Sequence, residues 1–98
     1  MYTIKRTDNF DAWIDSLKDR LTYLRLNKRL DKVARGLLGD VEPVGEGVFE
    51  MREFFGGGWR MYYITRGDVL IVMLGGGDKS TQSRDIADAI ALAKLIED

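Results

Sequence analysis

Apolar residues recur along the chain with two different periods, and these predict the order of its strands and helices. Residues 2–7 alternate between apolar and polar side chains, which is typical of a strand. A first helix is expected from about Asn9 to Lys18, because apolar side chains there recur at the spacing of one helical face. A second helix should begin near Asp19 or Arg20 and persist to about Gly36, where a glycine can form a left-handed cap.

The second helix has an apolar side and a basic side. Its apolar side is expected to pack on a sheet and comprises Leu17, Leu21, Leu24, Leu30, Val33, Ala34 and Leu37. Its opposite side carries a recurring series of cations, namely Arg25, Lys28, Arg29, Lys32 and Arg35. The two helices are therefore predicted to form an αα-hairpin over one face of the sheet, with the basic stripe outward.

Glycine-containing turns divide the second half of the chain. Residues 39–47, which include the single proline, are interpreted as a loop that crosses from the helices to the sheet. Strands are expected over Val48–Phe54, Trp59–Thr65 and Val69–Leu74, and the last is apolar at every position, as in a central strand. Gly75–Gly77 should end that strand, and a final helix is expected from Thr81 to Ile96. This order of elements predicts an α+β fold.

Alternation along the middle strands predicts which side chains share a face. If Met51 packs on the helices, Arg52 points to the opposite face. The same alternation in the next strand places Arg60 and Tyr62 beside Arg52, on a face expected to be open. Lys79 stands beside the N-terminus of the final helix, where the free amides of a first turn favour an anion.

Composition narrows the chemistry. Ninety-eight residues with 45% apolar side chains describe a single globular domain. The chain contains no histidine and no cysteine, which excludes disulfides, thiol nucleophiles, histidine-based catalysis and the usual zinc sites. Its longest apolar run, Val69–Leu74, is six residues, so we expect a cytoplasmic protein that does not enter a membrane.

Charge is segregated although the net value is only −1. Between Lys18 and Arg35 there are seven cations and two anions, a local balance of +5. Such a field can direct a phosphate-bearing partner to one face of the protein. A solvated helix surface with no partner is the alternative interpretation.

Four sequence strings together resemble a known family over nearly the whole chain: DNFDAWIDSLKD, GLLGDVEPVGEGVFEMR, FGGGWRMYY and LGGGDKSTQSRDIADA. They are similar to addiction-module killer proteins, the HigB-like toxins of the RelE/ParE superfamily. The resemblance implies a single RelE/ParE-like toxin domain over residues 1–98, with an N-terminal strand, an αα-hairpin on a mostly antiparallel sheet, and a C-terminal helix.

The resemblance also implies a function and partners. It implies a type II toxin neutralised by a cognate antitoxin, commonly a helix-turn-helix DNA-binding protein, so that operator DNA is contacted only through the complex. Better-studied relatives cut mRNA on the ribosome without a metal or cofactor, whereas ParE-like members inhibit DNA gyrase. A non-toxic interaction module of the same fold is a third alternative, and fold alone does not choose between them.

Metal-free RNA cleavage assigns candidate roles to particular side chains. Arg52 and Arg60 match the family's strand arginines and would clamp the phosphate, since a guanidinium matches two phosphate oxygens. Lys79 would be an acid or electrostatic donor, Gln82 would orient the phosphate or base, and Tyr62 would stack on a base. The alternatives are that Arg52 only pairs with Glu50 or Glu53, and that Tyr62 and Lys79 are ordinary surface residues.

Two further expectations follow. The basic stripe, Arg25, Lys28, Arg29, Lys32 and Arg35, would contact ribosomal RNA. The family usually has a proline between two glycines where this chain has Gly56–Gly58, and a tyrosine in place of Trp59. Without the ring that fixes φ, this turn is expected to be more mobile than in relatives.

Overall fold

The structure, a computed structural model that describes residues 1–96, contains one five-stranded sheet with helices on both faces. In chain order the elements are β1 (Thr3–Arg6), α1 (Asp8–Asp15), α2 (Arg20–Ala34), β2 (Val41–Gly45), β3 (Val48–Arg52), β4 (Arg60–Arg66), β5 (Leu70–Gly77) and α3 (Gln82–Leu95). The strand order is β1-β5-β4-β3-β2, in which only the described β1–β5 pair is parallel. The α+β fold with a mostly antiparallel sheet is thereby confirmed.

Helices α1 and α2 cover one face of the sheet and bury the larger core. This core comprises Phe10, Ile14, Leu26, Leu30, Val33, Met51, Met61, Tyr63, Ile71 and Met73. Thr7 joins α1 to β5, because its Oγ1 accepts from the Phe10 amide (3.1 Å) and donates to the Met73 carbonyl (2.8 Å). The predicted αα-hairpin and the inward direction of Met51 are confirmed.

Helix α3 covers the other face of the sheet, which was predicted to be open. Tyr62, Ile64, Val72 and Leu74 are buried there against Ala89 of α3. The prediction was wrong because the middle of β4 and β5 carries apolar side chains on this side too, and so both faces require a helix. No helix within residues 1–96 has both the length and the apolar composition needed to cross a membrane.

Residues 39–47 are not a loop, because β2 occupies most of this segment and forms a hairpin with β3. The hairpin turn consists of Glu46 (φ 51°) and Gly47 (φ 82°), the two positive values that a two-residue turn requires. Pro43 is accommodated because β2 is an edge strand. Strand β5 also continues through Gly75–Gly77, where it pairs with β4.

The buried face of α2 is only partly the predicted one, since Leu30 and Val33 are buried as expected but other positions are not. Leu21, Leu24 and Leu37 are 57%, 47% and 61% exposed, whereas Thr22, Leu26, Arg29, Leu30 and Val33 face the sheet. These buried residues have the spacing i, i+4, i+7, i+8 and i+11 of one helical stripe. Arg29, which was predicted to be outward with the basic stripe, therefore lies on the packed side.

Arg29 is 8% exposed and connects α2 to two strands. Its guanidinium donates to the carbonyls of Leu38 (2.8 Å from Nη2), Asp40 (2.9 Å) and Arg52 (2.9 Å). It also forms an ion pair with the Glu53 carboxylate. These bonds satisfy backbone groups at the start of β2 and the end of β3, so that Arg29 is a structural residue.

We expect Arg29→Gln to lower the free energy of unfolding by about 3–5 kcal/mol, because Glu53 and several carbonyls would lose their shared donor. Lys28→Gln, at the neighbouring exposed position, should change it by about 0.5 kcal/mol or less. Urea unfolding followed by circular dichroism measures both variants. Equal transition midpoints for the two would show that Arg29 does not hold the strands.

Candidate functional site

Three cations converge at one end of the sheet. Arg52 and Arg60 are directly opposite each other on β3 and β4. A Cβ atom placed on Gly58 would lie 3.3 Å from Arg60 Nη1 and 3.5 Å from Lys79 Cβ, so both residues border the same glycine. The Lys79 amide also donates to the Gly57 carbonyl (3.2 Å). Sequence analysis thus predicted the grouping, which we name the clamp: Arg52, Arg60 and Lys79.

Glu50 connects the clamp to α3, and sequence analysis assigned it no functional role. Its side chain is buried, accepting from Arg60 Nε (3.4 Å) and from Gln82 Nε2 (3.3 and 3.4 Å). Arg60 donates in addition to the Gly58 carbonyl (2.7 Å) and exposes only 12% of its side chain. Gln82 therefore reaches the site through Glu50. The sequence contained one indication of this role of Glu50, because strand alternation places its carboxylate on the same face as Val48 and Arg52.

Arg52 is held by carboxylates from the edge of the sheet. Its Nη2 donates to Asp40 (2.9 Å) and lies 3.4 Å from Glu42. The hydrogen bond to Asp40 raises the pKa of Arg52. The alternative that Arg52 has an acidic partner is correct, but the partners are not Glu50 or Glu53. Because Arg52 keeps 30% of its side chain exposed, it is the more accessible arginine of the clamp.

Tyr62 does not have the exposure that stacking on a base requires. Its side chain is fully buried under α3, and its hydroxyl has no hydrogen-bond partner among the described residues. Burial, followed by the charges of Glu50 and Asp85, raises the pKa of this hydroxyl. The proposed stacking role of Tyr62 is therefore corrected: the ring is a core residue below the clamp.

The turn that carries Lys79 is built by a local cap. The Asp78 carboxylate accepts from the Ser80 amide (2.9 Å) and the Ser80 hydroxyl (2.5 Å), and these bonds lower the pKa of Asp78. A 3-10 turn, Lys79–Thr81, follows and leads directly into α3. Asp78 thus caps this turn, and the Lys79 side chain is exposed.

A basic groove lies beside the clamp. It has a volume of about 280 Å³ and is lined by Arg25, Lys28, Arg29, Lys32, Glu53 and Phe55. The Arg25 guanidinium lies 4.7 Å from the centre of the Phe55 ring. Arg29 forms the inner wall, where its donors are already occupied. Arg35 caps the end of α2 and is not among the lining residues.

Comparison with known proteins identifies first the fold and then the family. A chain from the crystal structure of the toxin–antitoxin complex RelBE2 of Mycobacterium tuberculosis matches with a TM-score of 0.62 and 20% identity, covering 80% of this chain and 98% of that chain. The fold is therefore a RelE-like toxin fold.

No protein-family model matches the sequence. An uncharacterised protein of Haemophilus influenzae strain Rd is 41% identical over 91 residues, 93% of this chain and 92% of the relative. The chain belongs to the same family as this Haemophilus protein.

Tyr62→Phe should leave the fold at least as stable as the wild type. The change removes a buried hydroxyl that has no partner within residues 1–96, and so it removes a desolvation penalty of about 1–3 kcal/mol. Thermal unfolding measures this effect. A clear loss of stability would show that the hydroxyl has a partner, for example an ordered water molecule.

Proposed function

We propose that this protein is the toxin of a type II toxin–antitoxin pair and acts as a metal-independent, ribosome-dependent mRNA endonuclease. The observation that carries the proposal is the convergence of Arg52, Arg60 and Lys79 at one end of a RelE-like fold. Three cations supplied by different elements at the same end of the sheet suit a group of high negative charge. A phosphodiester that gains charge during cleavage is such a group.

The chemistry needs only groups that this chain contains. The 2′-hydroxyl of one nucleotide loses its proton and attacks the adjacent 3′-phosphorus. The bond to the 5′-oxygen breaks, and that oxygen gains a proton, leaving a 2′,3′-cyclic phosphate and a 5′-hydroxyl. No water molecule or redox partner is consumed. In the absence of histidine, catalysis would depend chiefly on neutralising and orienting the phosphate.

Different exposure suggests different roles within the clamp. Arg52 and Lys79 are accessible and would contact the phosphate oxygens directly. Arg60 is mostly buried and fixed by Glu50 and the Gly58 carbonyl, so that it would present only one edge of its guanidinium. Gln82 would act mainly by keeping Glu50, and with it Arg60, in position.

Partners follow from the same proposal. The basic groove, through Arg25, Lys28 and Lys32, would bind ribosomal RNA by its phosphates. The structural neighbour comes from a toxin–antitoxin complex, which supports a cognate antitoxin for this chain. The G-D-V-x-P-V-G-E-G-V and G-G-D-K-S-T-Q strings support the narrower HigB-like assignment. The antitoxin would be a helix-turn-helix protein, and the pair would act in the cytoplasm and contact operator DNA only as a complex.

Induced expression of the wild type should arrest growth and create new mRNA 5′ ends within translated regions. The variant Arg52→Ala/Arg60→Ala/Lys79→Ala should do neither, since loss of one charge donor alone costs about 10²–10³-fold in rate. Primer extension on an abundant mRNA and culture density measure both effects. Lys5→Ala/Arg20→Ala/Lys94→Ala removes three exposed cations elsewhere and should remain toxic.

Other outcomes of this experiment separate the alternative functions. Arrest with intact mRNA would contradict the endonuclease and favour gyrase inhibition, which a supercoiling assay with purified protein would test. Growth without arrest would favour the non-toxic module. Circular dichroism of the purified triple variant establishes that it is folded, so that loss of activity can be assigned to the clamp.

Reversal of the groove charges, Arg25→Glu/Lys28→Glu/Lys32→Glu, should weaken ribosome association about ten-fold or more, because phosphate contacts are lost and repulsion is added. Co-sedimentation with ribosomes at low salt measures the binding. Lys5→Glu/Arg20→Glu/Lys94→Glu makes the same change in net charge away from the groove. Equal weakening by both variants would show that total charge, not the groove, determines binding.

A further inference from the structure

Two consecutive phenylalanines next to the clamp have opposite environments. Phe55 packs against the larger core and beneath Arg25. Phe54 is 77% exposed and is therefore an aromatic side chain that folding leaves in water. A single exposed apolar residue is common on protein surfaces and needs no explanation by itself. The position of Phe54, described next, is what distinguishes it.

The backbone on both sides of Phe54 is fixed. The Glu53 amide donates to the Trp59 carbonyl (2.8 Å), and the Glu53 carboxylate pairs with the buried Arg29. The Phe55 carbonyl accepts from the Gly58 amide (3.1 Å), which closes the glycine turn. Phe54 therefore projects from a bonded segment, and ordering it on a ligand would cost little backbone entropy.

The Phe54 ring lies between the clamp and the basic groove along the chain, since Arg52 lies over it and the next residue, Phe55, lines the groove. The Arg52 guanidinium carbon lies over the ring at 5.7 Å from its centre, and Arg52 belongs to the clamp. On the other side, Phe55 belongs to the basic groove with Arg25 and Lys28. An aromatic face between two phosphate-binding regions matches a nucleotide chain, in which each apolar base face alternates with a phosphate. A peptide bound here would bury these cations, and its backbone does not carry an anionic group in every repeating unit.

We propose that Phe54 is a stacking platform for a base of single-stranded RNA whose backbone runs from the basic groove to the clamp. The inference rests on the proposed function, because it assumes that RNA is the substrate. It assigns to Phe54 the stacking role that the buried Tyr62 cannot have. Stacking tolerates any base, so Phe54 would contribute affinity and position, while base preference would come from other contacts.

The test is equilibrium binding of 2′-O-methyl RNA hexanucleotides, which cannot be cleaved at the 2′ position, to the full-length protein at low salt. One position carries 2-aminopurine, whose fluorescence falls when it stacks. We expect Phe54→Leu, which keeps an apolar side chain, to weaken binding about five-fold or more and to abolish the quenching. Phe54→Tyr, which keeps an aromatic face, should retain both properties.

An abasic nucleotide at one position of the hexamer removes the base, which is the RNA side of the proposed contact with Phe54. It should weaken the wild type at that position but leave Phe54→Leu unchanged, because base and ring contribute through the same contact. Wild-type binding that Phe54→Leu does not alter would overturn the stacking role and leave the RNA-binding function intact. Absence of any RNA binding by the wild type would overturn the stacking proposal, whereas the mRNA cleavage experiment described above decides separately whether the ribosome-dependent endonuclease stands.

A third result would identify a different occupant. If Phe54→Leu leaves hexanucleotide affinity unchanged but weakens binding of the co-expressed antitoxin, the ring belongs to a protein interface and the stacking proposal is wrong. Phe54 is exposed, so its variants should unfold at the wild-type midpoint. The binding results can therefore be interpreted without a correction for misfolding.

Discussion

Burial of the Arg29 guanidinium is the constraint on which the geometry of the site depends. A charge in that position is stable only because backbone carbonyls and the Glu53 carboxylate accept its hydrogen bonds. The same bonds fix where β2 begins and where β3 ends. The side chains of Asp40 and Arg52 start from those two points of the backbone. The packing of α2 on the sheet therefore determines the position of the ion pair between them. A helix residue thereby determines the position of the Arg52 side chain by bonding to the Arg52 backbone carbonyl.

Each arginine of the clamp already has a carboxylate partner inside the protein. Asp40 and Glu42 neutralise Arg52, and Glu50 neutralises Arg60. An incoming phosphate would therefore replace or rearrange an internal anion and would not simply fill an empty positive site. This arrangement holds the guanidiniums in place without a large local excess of positive charge, in keeping with a net charge of −1. Lys79, carried on a separate turn, is the cation of the three with no ion pair among the described residues.

The sequence predicted most of the fold because its signals were local. Strand alternation correctly placed Arg52 and Arg60 on one face, whereas Lys79 was grouped with them through the resemblance to the toxin family. The errors have a different origin, since they depend on which surfaces meet. Periodicity does not show that α3 covers Tyr62. It does not show the partners of Arg29 either, because an arginine on an apolar stripe has the same spacing whether it is buried or extends to solvent. The strand in residues 39–47 was missed because glycine, proline and acidic residues are typical of loops, and pairing with β3 supplies the missing stability.

The glycines at the end of β5 determine how closely the two helical layers approach the sheet. A Cβ on Gly76 would lie 2.5 Å from the Trp13 ring of α1 and 2.7 Å from the Arg60 carbonyl. One on Gly77 would overlap the Asp85 carboxylate of α3. Over these residues the sheet has no side-chain layer, so the strand backbone is itself the packing surface for both helices. Position 76 in particular has little freedom to change, since any replacement, however small or polar, adds a Cβ atom against a ring and a strand carbonyl.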